Sequence, residues 1–123
     1  MAFITYSAYD ALLEYIRDNG NNLVLCSAEP TTYAEANATF ALARATIAPA
    51  DYTIAAGDVS GRKLTLDGQT TTGEDDGTAT HYAVIDTASS ELLLVNTMTN
   101  VAITNTEPQD TNPVRLVEVE DPA

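Results

Sequence analysis

The sequence contains no tryptophan, a single cysteine and a single histidine, and only five lysines and arginines against eighteen aspartates and glutamates. Each scarcity excludes something. With Cys26 alone, the chain forms no internal disulfide and holds no cluster of thiolate metal ligands. With His81 as the only histidine, a cage of several histidines cannot form within one subunit. The formal net charge of −13 speaks against direct nucleic-acid binding, which needs clustered cations to displace counterions from phosphates. Arg62-Lys63 is the one adjacent basic pair. An anionic membrane surface would be repelled for the same reason. No apolar run approaches the about 18 residues of a spanning helix. No basic segment with an apolar core opens the chain either, so synthesis and folding in a reducing cytosol are expected.

What is present is enough for one core. A chain of 123 residues has the length of one ordinary domain, and such a domain buries roughly 65% of the surface its unfolded chain exposes. We expect a single domain over residues 1–123, with a core of Leu, Ile, Val and Ala. The excess acid favours solubility and suppresses non-specific association.

The spacing predicts one helix, over about residues 8–19. Ser7 and Asp10 read as a variant capping box, and Tyr9, Leu12, Leu13 and Ile16 form an apolar stripe at helical period. Asn19-Gly20 should end it, with Gly20 in the left-handed conformation. Leu23–Ser27 reads as a buried strand containing Cys26, a small hydrophobe in that setting. Glu29-Pro30 breaks it. Thr32 and Glu35 could cap one helical turn around Tyr33 to Ala36. Ala38–Ile47 mixes alanines with Phe40, Leu42 and Ile47, and we favour strand.

Beyond Asp51, strands and turns alternate. Tyr52–Ala55 and Arg62–Leu66 are short strands, the second with Leu64 and Leu66 on one face and Lys63 and Thr65 on the other. Asp67-Gly68 signals a turn. Residues 69–78 (QTTTGEDDGT) read as a polar loop outside the core. His81–Ile85, Glu91–Val95, Val101–Thr104 and Val114–Val119 read as further strands, with a Pro-flanked loop at 105–113 and a fraying acidic tail at 120–123. Six to eight short strands after one helix predict a mainly β chain: an antiparallel β-sandwich or small barrel with one N-terminal α-helix.

No catalytic, cofactor-binding or metal-binding residue emerges. A general base at His81 would need a nucleophile and an orienting acid, and no local signature supplies them. Glu74-Asp75-Asp76-Gly77 is oxygen-rich in the manner of a Ca²⁺ loop but lacks the alternating spacing and distal glutamate of an EF-hand, so a solvated loop tip is expected. No phosphate-binding glycine loop occurs. With no Trp and few aromatics to hold a sugar ring, paired-carboxylate glycoside cleavage has no support. Arg62-Lys63 reads as a guard on a strand edge. We therefore expect no enzymatic activity and no cofactor.

Three segments, Asn22–Ala36 (NLVLCSAEPTTYAEA), Gly57–Leu66 (GDVSGRKLTL) and Gly77–Asp86 (GTATHYAVID) with Glu91–Val95 (ELLLV), together resemble head-decoration, or capsid cement, proteins of tailed bacteriophages and the related head- and tail-fibre modules. The resemblance spans roughly residues 10–119 and rests on scaffold segments. It implies a structural virion protein without enzymatic activity, made in the host bacterial cytoplasm. Such a protein sits on the outer capsid surface, as a homotrimer that bridges subunits of the major capsid protein. A fibre module binding the host surface is the alternative. Tyr33 and Tyr52 are candidate contact residues on exposed strand edges.

Overall fold

A computed structural model describes residues 4–112 and 114–120. The chain is mainly β, with antiparallel sheets and one N-terminal helix. The helix α1 spans Tyr6–Asn19. It is followed by β1 Asn22–Cys26, β2 Ala41–Thr46, β3 Tyr52–Ala56, β4 Arg62–Leu66, β5 Thr70–Gly73, β6 Gly77–Asp86, β7 Glu91–Ile103, β8 Pro108–Asp110 and β9 Val114–Val119. A six-stranded sheet runs in the order β7-β6-β1-β2-β5-β8, and a three-stranded sheet runs β3-β4-β9. Their facing sides share one apolar cluster that includes Leu23, Leu25, Val84, Leu64, Leu66 and Leu116.

The helix starts earlier than its sequence signal. Thr5, not Ser7, is the N-cap, and its hydroxyl accepts from the Ala8 N–H at 3.3 Å. Of the expected stripe, Tyr9 and Leu13 are buried and Ile16 packs on the core, whereas Leu12 is 54% exposed. Asp10 replaces Leu12 on the packed side, pairing with Arg62 at 2.8 Å. Helical period allowed either assignment, and the neighbour on β4 decides it.

Gly20 ends the helix without a left-handed turn. Its φ is −72°, and its N–H donates to the Ile16 carbonyl at 2.7 Å. Glycine is required here by crowding: a Cβ would lie 2.5 Å from Val84 Cγ1 and 2.7 Å from the Tyr52 hydroxyl oxygen. The left-handed expectation for Gly20 is thus corrected.

β1 and the second half of β6 lie at the middle of the large sheet and are buried on both faces, which is why they read as continuous apolar runs. Leu23 and Leu25 face the inter-sheet core, while Val24 and Cys26 join Ala83 and Ile85 in a second cluster with Ala36. A helical turn at 33–39, π-helical over Glu35–Thr39, lies over that outer cluster. The Thr32 hydroxyl accepts from the Glu35 N–H at 3.2 Å, and the Glu35 carboxylate takes both the N–H and the hydroxyl of Thr31 at 2.8 Å. Arg44 on β2 donates to the Asn37 carbonyl at 2.6 Å and to its side-chain oxygen at 2.9 Å, fixing the turn on the sheet.

Several expectations beyond Asp51 are corrected. Residues 70–73 are not loop but strand β5, held between β2 and β8, with Thr71 fully buried and its hydroxyl donating to the Gln109 carbonyl at 2.8 Å. A buried threonine tolerates the core because that bond satisfies its hydroxyl. The stretch 105–113 contains β8. The two runs at 91–95 and 101–104 belong largely to one strand, β7, whose register against β6 shifts twice. Asp67-Gly68 closes no hairpin, since β4 and β5 belong to different sheets. Nor is Arg62-Lys63 an edge guard, because β4 is the central strand of its sheet. The expected fraying at 120–123 falls outside the described residues except at Glu120, whose carbonyl accepts from the Tyr9 hydroxyl at 3.4 Å.

Candidate functional site

His81 and Cys26 are brought opposite each other, as paired positions of β6 and β1. This juxtaposition has the residue types of a nucleophile and base, but not their chemistry. Cys26 is fully buried, its thiol is aimed at the Val24 carbonyl at 3.9 Å, and burial pushes its pKa up to about 11. A thiol held protonated is a poor nucleophile. The His81 ring meets the Thr80 hydroxyl at 2.8 Å through Nδ1, and that hydroxyl also donates to the Ser27 carbonyl at 3.2 Å.

The acidic tip is tied into the fold. Glu74 pairs with Arg44 at 2.9 Å, Asp75 accepts from the Asp76 N–H at 2.9 Å, and Asp76 accepts from the Asn105 N–H at 2.8 Å. The carboxylates thus serve three separate partners. No group of three potential metal-binding side chains occurs among the described residues. No helix among them is long and apolar enough to cross a membrane.

Of the two expected contact residues, Tyr52 is corrected outright. It is 6% exposed, and its hydroxyl donates to the Gly20 carbonyl at 2.9 Å. Tyr33 is half-buried, but it lies on the turn over the outer cluster and not on a strand edge.

Two depressions mark the surface. One, about 550 Å³, is lined by Leu23, Leu25 and Tyr82 beside Met98, Val101 and Asp110. The other, about 490 Å³, is shallow and polar, and lies between α1, the 31–33 turn and the corner leading into β7. Its wall includes Tyr15 and Tyr33 together with Ser89, Ser90 and Glu91. The Tyr15 hydroxyl donates to Glu91 Oε1 at 2.7 Å, and this bond to a carboxylate raises the phenol's pKa. Asp86 anchors the corner by accepting from the Ser89 hydroxyl at 2.8 Å and the Ala88 N–H at 2.9 Å. Ser90 completes the turn at φ 56°. Sequence reasoning missed this site because Tyr15, Tyr33 and Glu91 are far apart in the chain and share no motif. The sequence offers no local signal for it: of Pro30–Tyr33 only Thr31 and Thr32 are exposed, while Pro30 is buried and Tyr33 packs on the outer cluster.

A third feature is the outer strand of the large sheet. From Leu92 to Thr106 the sequence carries no charged residue, although the chain as a whole is strongly acidic. Leu92, Leu93, Leu94 and Val95 are only partly buried. The opposite edge strand, β8, has three residues and contains Pro108 and Asp110.

No known family matches the chain, and no curated protein or solved structure is significantly similar to it.

Proposed function

We propose that this protein decorates the outer surface of a tailed-phage capsid, binding the major capsid protein as a homotrimer and reinforcing the shell without catalysing a reaction. The observation that carries the reading is the β7 edge. The centre of a protein–protein interface is depleted of charge, and β7 from Leu92 to Ile103 is uncharged on a chain of net charge −13, with Asn96, Thr97, Thr99 and Asn100 exposed on this edge strand. Like charges elsewhere on the surface would resist close packing of copies. Two of the three segments that resemble decoration proteins, Asn22–Ala36 and Gly77–Asp86 with Glu91–Val95, are also neighbours in space, since β1, β6 and β7 are consecutive in the large sheet, whereas Gly57–Leu66 supplies β4 of the small sheet. Linked copies raise the effective concentration of one another's contacts, which favours a trimer for so small a domain.

The fibre-module reading has one observation in its favour, the exposed Tyr15 and Glu91 beside the polar depression. A reconstruction of purified particles whose genome carries this gene separates the two. We expect the domain on the outer capsid face, in clusters of three. Density at the tail instead would establish the fibre reading. Isolated monomers on the shell would reject the trimer, and absence from the particle would reject both readings.

A further inference from the structure

We propose that the depression between α1, the 31–33 turn and the Ser89–Leu92 corner binds a neutral saccharide ring. The inference holds for a capsid or a tail position alike, because it rests on the chemistry of the wall.

Tyr15 is 50% exposed and Tyr33 is half-buried, and both border the same depression. A pyranose presents C–H-rich faces that pack on aromatic rings and an equator of hydroxyls that need both donors and acceptors. Tyrosine suits both demands, having an apolar body and a polar tip. Around the rings lie the hydroxyls of Ser89 and Ser90 and the carboxylate of Glu91. Glu91 Oε1 accepts the hydrogen bond of the Tyr15 hydroxyl, and an ionised carboxylate has capacity for further donors. Ser89 donates to Asp86, which leaves its oxygen as an acceptor.

The wall is also ordered in advance of any ligand. The Tyr15 ring is held by Glu91, the serine corner by Asp86, and the 31–33 turn by the Glu35 carboxylate, which receives two donors from Thr31. Ordering the site beforehand lowers what binding must spend on entropy.

The same wall argues against other ligands. It contains no lysine or arginine, so a phosphate, a nucleotide or an acidic sugar would meet Glu91 with no compensating cation. Its lining is mostly hydroxyl and carboxyl, which disfavours an apolar ligand. A neutral polyhydroxyl ligand fits the donors, the acceptors and the rings together. Glycoside cleavage is not implied, since one carboxylate faces the depression and that chemistry needs two. A shallow site of this kind binds one ring weakly, and repetition of the domain on a particle would raise avidity by about 10²–10⁴.

The test is an amide NMR titration of the full chain with methyl glucoside, methyl galactoside, N-acetylglucosamine and maltotriose. We expect at least one to give saturable shifts centred on residues 31–33 and 89–92. Tyr33→Ala should weaken that binding at least tenfold. Glu91→Gln, at an exposed position, should weaken it severalfold while amide positions elsewhere stay unchanged. If Tyr33→Ala fails to fold, Glu91→Gln decides. Absence of saturable shifts with all four sugars would overturn the proposal. So would shifts centred on residues 97–101 and 109–112, or binding by both variants equal to that of the parent.

Discussion

The Tyr52 hydroxyl donates to the Gly20 carbonyl at 2.9 Å, joining the first residue of β3 to the residue that ends α1. Gly20 is in turn so close to Val84 on β6 that no side chain fits. Helix, small sheet and large sheet therefore meet at one point. Tyr52→Phe keeps the ring but leaves the Gly20 carbonyl without this donor, and should cost about 1–3 kcal/mol. Gly20→Ala should cost at least as much. At φ −72° an alanine would ordinarily stabilise by about 0.4–1 kcal/mol through the unfolded chain, but the clash reverses the sign. Urea denaturation midpoints measure both, and a Gly20→Ala protein as stable as the parent would refute the crowding argument.

Leu12 and Leu13 are neighbours on α1 with opposite fates. Leu13 is fully buried, and Leu12 is 54% exposed. Leu13→Ala should cost about 2–5 kcal/mol as a large-to-small core change. Leu12→Ala should fall within about 0.5 kcal/mol of the parent. Thermal melts of the two variants give the comparison. Equal, small effects would mean that the helix is undocked in solution.

Asp86 carries a pH prediction. Hydrogen bonds from the Ser89 hydroxyl and from the Ala88 and Ser89 N–H groups hold its carboxyl below the ordinary value of 3.8, against the opposing effect of desolvation. A carboxylate with a lowered folded pKa stabilises the protein above its unfolded pKa, and that contribution is lost as pH falls through the folded value. Asp86→Asn should therefore be less stable than the parent at about pH 7, with the gap closing below about pH 4. Denaturation curves across that range read the gap, and a difference constant with pH would contradict the assignment.

The acidic tip should ignore calcium. Glu74 and Asp76 are committed to Arg44 and the Asn105 N–H, so gathering them around an ion would break bonds already made. Millimolar Ca²⁺ should leave the melting temperature of the parent unchanged. A calcium-dependent rise that disappears in a triple Glu74, Asp75, Asp76→Ser variant would restore the cation reading.

The local patterns in the sequence determined the apolar elements but not their partners, nor the short polar strands β5 and β8. Tyr9, Leu13 and Ile16 at helical spacing, and the continuous run Leu23–Cys26, were legible because backbone geometry alone places their side chains. The strand at Thr70–Gly73 was not legible. Thr71 lacks an apolar side chain, and its burial depends on the Gln109 carbonyl reached from β8. Gly20 could be read as a helix stop, while the reason it must be glycine lies in Val84, which the sequence places far away.

Composition settled the strong acidity and the absence of a disulfide within the chain, since counts of charge and cysteine need no fold. The surface that could bind anything was decided by tertiary structure. Only folding sets Tyr15 beside Glu91, brings Tyr33 to the same depression, and leaves the uncharged stretch of β7 after Glu91 at a sheet edge. A site assembled from distant segments has no local period or spacing to betray it, because contact in space is fixed by how the sheets pack and not by distance along the chain.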